Sequence, residues 1–148
     1  MITRDSAIRF RDQLVERAKT IRKTYPVVEM MFFLLSKDNI HVFSPAMSAV
    51  PMDKGQIADF VRKLSGEVDA SYVIHVCECW VSHTLVLQVS VKDRPDAYDA
   101  ISVSIDGPDI NETMIIPILA PGEYGETSVL NQSEGGTFYN LSGNIGAN

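Results

Sequence analysis

Residues 70–81 read Ala-Ser-Tyr-Val-Ile-His-Val-Cys-Glu-Cys-Trp-Val, and this stretch decides the fold. Its β-branched and aromatic residues predict one long β-strand, whose successive side chains point to opposite faces. The two faces carry different residues: His75, Cys77 and Cys79 on one, and Tyr72, Ile74, Glu78 and Trp80 on the other. The second face is the more apolar, so we expect it to pack under the helices with Trp80 buried.

Two helices are predicted upstream of this strand. Thr3 caps the first, whose apolar residues recur every three or four positions until Pro26 ends it. Asp53 and Gln56 form a capping box for the second helix. Gly66 is expected at its left-handed C-terminal cap.

Alternating or wholly apolar runs predict six strands in all. They are Val27–Leu35, Ile40–Phe43, Ala70–Val81, Leu85–Val91, a half-exposed Ile101–Ile105 and Thr113–Leu119. Pro117 places the last strand at a sheet edge, because proline cannot donate to the ladder. The order α-β-β-α-β-β-β-β predicts an α+β fold with an antiparallel sheet and two helices on one face.

A change in composition divides the chain. Residues 1–119 are predicted to form a single α+β domain, and residues 120–148 form a Gly/Asn-rich C-terminal tail or arm. The tail lacks the hydrophobic density to fold alone, but Phe138, Tyr139 and Leu141 can anchor it to a partner surface. We expect exchange of this tail between copies, by strand addition near Pro117, to give a homo-oligomer.

Net charge and the lengths of the apolar runs disfavour several classes of partner. The chain of 148 residues has 13 basic and 19 acidic residues and a net charge of −6, which disfavours a nucleic-acid partner. Its longest apolar run spans nine residues, against about 20 for a membrane helix, so we expect no membrane partner. The N-terminus has no apolar signal-peptide core, which predicts a cytoplasmic protein.

The charges are unevenly distributed along the chain. Residues 1–23 contain seven basic and three acidic residues, whereas residues 93–148 contain one basic and nine acidic residues. The basic segment is either a solvated helix face or a surface that meets an acidic one, on this chain or on a neighbouring copy. We favour the solvated face, because exposed charges usually contribute little.

The His75, Cys77 and Cys79 side chains are the first candidates for a metal site. Spaced two residues apart on one strand, they span about 13 Å, which is too far to surround a single ion. A zinc site would need two of them together with His41 or His83. We therefore predict no metal and no cofactor, and we expect both thiols to be reduced.

Catalytic candidates come from the same strand. Cys77 is a candidate nucleophile with His75 as its base, although mid-strand cysteines are more often structural. Glu78 is an acid on an apolar face, and with Glu29 it would form an acid/base pair. The alternative, which we favour, is that each carboxylate pairs with an arginine or lies in water.

The strand Cys77–Val81 is followed by the turn Asp93–Ala100 and by the strand Ile101–Ile105. This succession resembles a family of small bacterial and phage-encoded proteins that carry a Glu-x-Trp strand and then a Pro-Asp turn. Tyr98 stands where an arginine often precedes the acid in that family. The family has no established activity, so the resemblance implies an origin but no chemistry.

No glycine-rich phosphate loop, HExxH or GxSxG motif is present in the sequence. We therefore predict a non-enzymatic binding or assembly module of bacterial or phage origin, with a protein partner or other copies of itself. The alternative is a small enzyme or a metal/thiol-site protein that uses His75, Cys77, Glu78 and Cys79.

Overall fold

The structure is a computed structural model that describes residues 2–83, 88–131 and 137–145. The elements are α1 (Arg4–Thr24), β1 (Met31–Leu35), β2 (Ile40–Phe43), α2 (Lys54–Val68), β3 (Tyr72–Val81), β4 (Tyr98–Gly107), β5 (Ile110–Ala120), β6 (Glu123–Tyr124) and β7 (Ser128–Asn131). The predicted α+β class, the antiparallel sheet and the order of elements are confirmed. Within the described residues, no helix is both long enough and apolar enough to cross a membrane.

All the strands form one antiparallel sheet in the order β2-β1-β3-β4-β5-β6, and β7 also pairs with β5. The longest pairing joins β3 to β4, from Val73 opposite Asp106 to Val81 opposite Tyr98. β3 also pairs with β1 along half of its length, which places the strand of residues 72–81 in the middle of the sheet.

Local sequence signals account for both helix starts. The Thr3 side chain accepts a hydrogen bond from the Ser6 N–H, and Asp53 accepts one from the Gln56 N–H at 2.8 Å. The predicted cap at Gly66 is wrong, because α2 continues to Val68 and the left-handed residue is Asp69, with φ of 54°. Val68 packs against the core, and aspartate tolerates this conformation better than most residues.

The two helices lie on opposite faces of the sheet, whereas the sequence suggested one face for both. Leu14 of α1 packs in one cluster with Ile74, and Val61 of α2 packs in another with Val73. Neighbouring strand residues point to opposite faces, so the helices are separated by the sheet. The central strands have apolar residues on both faces, and each face therefore needs a cover.

Trp80 is not packed under a helix, which contradicts the sequence expectation. Tyr72 and Ile74 on the same face are buried against α1, but Trp80 is 50% exposed. The pairing with β1 ends at Val76, so the second half of β3 extends beyond that neighbour. The same face of β3 is therefore covered at the start of the strand and open to solvent near its end.

Two strand predictions need correction. Of the predicted strand Leu85–Val91, residues 84–87 lie outside the described residues, and Val91 begins a short 3-10 turn, Val91–Asp93. The strand containing Ile101–Ile105 is not half-exposed, because Ser102 on its second face is also buried. Both differences arise from tertiary packing that a local pattern cannot show.

Basic residues of α1 reach acidic residues of the same chain. The Arg11 guanidinium is buried and forms an ion pair with Glu112 of β5. Arg22 forms ion pairs with Glu78 at 2.9 Å and with Asp99 at 3.7 Å. Part of the basic segment therefore meets an acidic surface within this chain, which was the less favoured of the two sequence interpretations.

The described part of the C-terminal segment packs on the sheet. β6 and β7 both pair with β5, so the β5 edge proposed as a dock for another copy's tail is occupied by this chain's own strands. Further on, Leu141 is 1% exposed. The buried Asp106 carboxylate accepts hydrogen bonds from the Leu141 N–H at 3.0 Å and from the Ser142 N–H at 2.9 Å.

Replacing Asp106 with asparagine should loosen residues 137–145. An amide has one acceptor oxygen, so one of the two N–H groups loses its partner, at a cost of about 1.5–3 kcal/mol in the free energy of unfolding. Urea unfolding measures the loss, and amide exchange at Leu141 and Ser142 should accelerate most. The control Asp38→Asn, in the exposed turn after β1, should change stability by less than about 0.5 kcal/mol. Equal losses in the two variants would contradict this role for Asp106.

Candidate functional site

A cleft of about 720 Å³ lies over the sheet face that carries α2. Its floor consists of polar side chains from β3, β4 and β5: His75, Cys77, Cys79, Ser102, Ser104 and Thr113. Its walls come from the start of α2, the 3-10 turn, the end of β7 and the C-terminal segment, including Lys54, Lys92, Leu130, Asn131, Phe138 and Tyr139. We refer to this site as the cleft.

Strand register explains why these side chains meet. His75 lies opposite Ser104, and Ser104 lies opposite Thr113, so the three form one row across β3, β4 and β5. The Ser104 and Thr113 hydroxyl oxygens are 2.9 Å apart and hydrogen-bonded. Cys77 lies opposite Ser102 in a parallel row. The floor is therefore lined with small hydrogen-bonding groups.

His75 is the most unusual member of the floor. Its ring is 5% exposed and stacks on Phe32, with ring centroids 4.4 Å apart and an angle of 3° between the planes. Phe138 contacts the imidazole from another side, at 4.8 Å. Burial lowers the pKa of His75 to about 4, so the ring is neutral at pH 7. Its Nε2 atom is buried and has no hydrogen-bond partner among the described residues.

The two thiols are free and protonated at neutral pH. Burial raises the pKa of Cys77 to about 12 and that of Cys79 to about 11. The Lys54 ammonium opposes both shifts but is outweighed by desolvation. Since a thiolate is the reactive form of cysteine, this environment does not activate either residue as a nucleophile.

The metal candidates are not brought together. His75, Cys77 and Cys79 lie in one line on β3, as the sequence predicts. His41 lies on β2 and the His83 N–H donates to Asp96, and neither residue lines the cleft. Among residues 2–83, 88–131 and 137–145, no three His, Cys, Asp or Glu side chains are placed to share an ion.

Glu78 borders the cleft, but its carboxylate belongs to an ionic cluster at the end of α1. It accepts hydrogen bonds from Arg22 at 2.9 Å and from the Val28 N–H at 3.1 Å. Asp99 lies beside it, and burial together with the neighbouring Glu78 raises the pKa of Asp99 to about 6. Glu29 is exposed, so the acid that accompanies Glu78 is Asp99 instead.

The sequence did not point to several residues of the cleft and of the ionic cluster around Glu78. Arg22 and Asp99 are 77 positions apart and meet because α1 packs on β3 and β4 and the β3–β4 register brings Asp99 near Glu78. Lys54 and Lys92 looked like ordinary surface charges. The alternation of Ser102 and Ser104 with apolar residues was the one available signal, but it indicated a solvated face.

A second cavity, of about 650 Å³, lies on the opposite face and is almost entirely apolar. It lies beside α1, over β1 and β2, and we call it the α1 groove. Its walls include Phe10, Tyr25, Val27, Phe33 and Val42. α1 packs mainly on β3 and β4 and reaches β1 through the contact of Phe10 with Phe33, while Val42 of β2 remains 49% exposed.

Comparison of the chain with protein-family models, with curated proteins and with solved structures gives no match.

The Asp99→Asn variant should isolate the pH dependence of the ionic cluster. Because the folded state raises the pKa of Asp99 from 3.8 to about 6, the folded protein binds the proton more tightly, and stability is lost as pH rises from about 4 to about 6. We expect Asp99→Asn to be more stable than the wild type at pH 7 and equal to it below pH 4. Urea unfolding at several pH values tests this, with Asp38→Asn as control. A difference that does not change with pH would contradict the assignment.

Proposed function

We propose that this protein is a non-enzymatic binding module whose ligand is a small organic anion held in the cleft. The observation that carries the proposal is the buried, unpartnered Nε2 of His75 in the cleft floor. An unsatisfied buried polar atom costs about 1–3 kcal/mol of stability, and such a cost is expected where a ligand supplies the missing partner. A cleft of this volume with a few convergent polar groups is the usual form of a small-molecule site.

The charge around the cleft favours an anion. Lys54 and Lys92 line it, and neither forms an ion pair with another described residue. Lys54 is also the first residue of α2, next to the Asp53 carboxylate that caps the helix. The acid at the border, Glu78, is paired with Arg22.

The remaining surface favours an organic ligand over an inorganic one. Phe138 and Leu130 contribute apolar area to the walls. The hydroxyls of Ser102 and Thr113 both donate and accept, so they can orient a ligand by hydrogen bonds. An anion that also presents a flat or apolar body would use both kinds of surface.

A binding role is favoured over the enzymatic alternative because the groups on β3 are held in their uncharged forms. His75 remains neutral to about pH 4, and Cys77 and Cys79 remain protonated above pH 10. These states suit hydrogen bonding and not nucleophilic attack. Free thiols are also consistent with the cytoplasmic location predicted from the sequence.

Thiol alkylation separates the two roles. At pH 8 a thiol of pKa 11 or 12 has far less thiolate than an ordinary cysteine of pKa about 8.5, so iodoacetamide should modify Cys77 and Cys79 at least about 100-fold more slowly than a cysteine peptide. Mass spectrometry of tryptic digests gives both rates. Modification as fast as in the peptide would indicate an activated thiol and would favour the enzymatic alternative.

Binding can be tested with benzoate as the probe and benzamide as its uncharged counterpart. We expect benzoate to raise the melting temperature and to shift the amide resonances of cleft residues, and benzamide to do so much less. Ligand stabilisation grows as RT ln(1 + [L]/Kd), so the benzoate series also yields an affinity. Lys54→Gln should weaken benzoate binding by removing one cation from the wall, and the control Lys37→Gln, outside the cleft, should not.

His75→Phe distinguishes a binding role from a purely structural one. Phenylalanine keeps the stack on Phe32 but removes the unsatisfied Nε2 atom. The variant should bind benzoate more weakly and yet be at least as stable as the wild type. Loss of stability with benzoate binding unchanged would overturn the proposal.

A further inference from the structure

β2 is an open edge of the sheet. Within the described part of the chain, only β1 pairs with it. The Ser36 N–H donates to the Asn39 carbonyl at 2.9 Å, and this bond shows which residue pairs of the β1–β2 hairpin are hydrogen-bonded to each other. Alternation from that pair directs the N–H and C=O groups of Ile40 and Val42 away from β1. Four backbone polar groups therefore line the free edge.

The side chains of this edge are apolar and exposed. Ile40 is 47% exposed and Val42 is 49% exposed, and both point to the α1 face, because Val42 lies opposite Phe33. Natural edge strands are usually protected by a charge, a proline or a bulge. The β2 sequence Ile-His-Val-Phe has no Lys, Arg, Asp, Glu or Pro, and its pairing with β1 is regular.

The α1 groove extends this apolar surface. Val42 belongs both to the free edge and to the wall of the groove, so the two surfaces are continuous. The groove is lined by one basic and one acidic residue, Arg17 and Glu29, and its charge is balanced. Acidic residues such as Glu112 and Glu123 lie at the opposite end of the sheet, on β5 and β6.

We propose that the β2 edge is a dimer interface, in which β2 pairs antiparallel with β2 of a second copy of the same chain. With Ile40 opposite Val42 of the other copy, the outward backbone groups form two doubly hydrogen-bonded pairs. His41 then faces His41 of the second copy across the two-fold axis. Both Ile40 residues and both Val42 residues gather on the α1 face, next to the two grooves.

A second copy fits this edge better than an unrelated strand does. Two identical strands are complementary in antiparallel pairing about a two-fold axis, and such closed interfaces are the commonest in homo-oligomers. The net charge of −6 opposes self-association in general, but the β2 end lacks that excess of negative charge. The dimer rests on the β2 edge alone and is independent of the ligand proposed for the cleft.

Molar mass in solution tests the interface. Light scattering should give twice 16.4 kDa for the full chain, with dissociation on dilution. Val42→Lys and Ile40→Lys should be monomeric, because each places a charge in the apolar cluster. Val129→Lys is the matched control: Val129 is 55% exposed on β7, and its variant should remain dimeric. Circular dichroism checks that each variant is folded.

A crosslink tests the register. Residues that face each other in a non-hydrogen-bonded antiparallel pair have Cα atoms about 4.5 Å apart, within the range for a disulfide. His41→Cys should therefore form a covalent dimer under mild oxidation, whereas the wild type and Val129→Cys should not. A monomeric wild type at all concentrations, or a dimer disrupted equally by Val129→Lys, would overturn the proposal. A dimer without the His41→Cys crosslink would overturn the register.

Discussion

β3 and β4 stay in register from Val73 opposite Asp106 to Val81 opposite Tyr98. The positions of the cleft floor and of the ionic cluster around Glu78 both follow from this pairing. It sets His75 beside Ser104 in the cleft floor and brings Asp99 to the end of β3 that carries Glu78. It also fixes Asp106, which holds the C-terminal segment. A shift of one residue would send every one of these side chains to the wrong face, so burial of both faces protects the register.

Most buried polar groups in this core have a hydrogen-bond or ion-pair partner, whereas the Nε2 atom of His75 has none among the described residues. Arg11 is buried but paired with Glu112, and Asp106 is buried but accepts two backbone hydrogen bonds. Each of these groups recovers the cost of leaving water through a partner. His75 recovers no such cost at Nε2, although its ring stacks on Phe32, and one buried side-chain oxygen each on Ser65 and Asn111 also has no partner among the described residues. Under the proposed function, the ligand of the cleft would supply the hydrogen-bond partner that this nitrogen lacks.

The sequence predicted what short-range chemistry determines. Capping by Thr3 and Asp53, the alternation of residues 72–81 and the placement of His75, Cys77 and Cys79 on one face all depend on neighbours within a few residues. The position of α2 could not be predicted, because strands that are apolar on both faces do not specify which face a given helix covers.

Other features of the sites depend on residues far apart in the sequence. The exposure of Trp80 is set by where β1 stops, and the pairing of Glu78 with Arg22 is set by how α1 packs on the sheet. Ser102 and Ser104 alternate with apolar residues as they would on a solvated face, and the start of α2, the 3-10 turn, β7 and the C-terminal segment turn that face into a cleft. A local sequence pattern shows which face of a strand is polar, but it does not show which element packs over that face.

A continuous row of aromatic rings crosses the α2 face from the sheet edge to the cleft. Phe60 packs on Phe43, Phe43 lies 6.1 Å from Phe32, and Phe32 stacks on His75, which contacts Phe138. These contacts hold the imidazole in one orientation before any ligand arrives, which lowers the entropy cost of binding. The row begins on β2, but Phe43 points to the α2 face whereas Ile40 and Val42 point to the other. Strand pairing at the β2 edge would therefore leave the rings in place, and the proposed dimer and the proposed ligand would use opposite faces of one sheet.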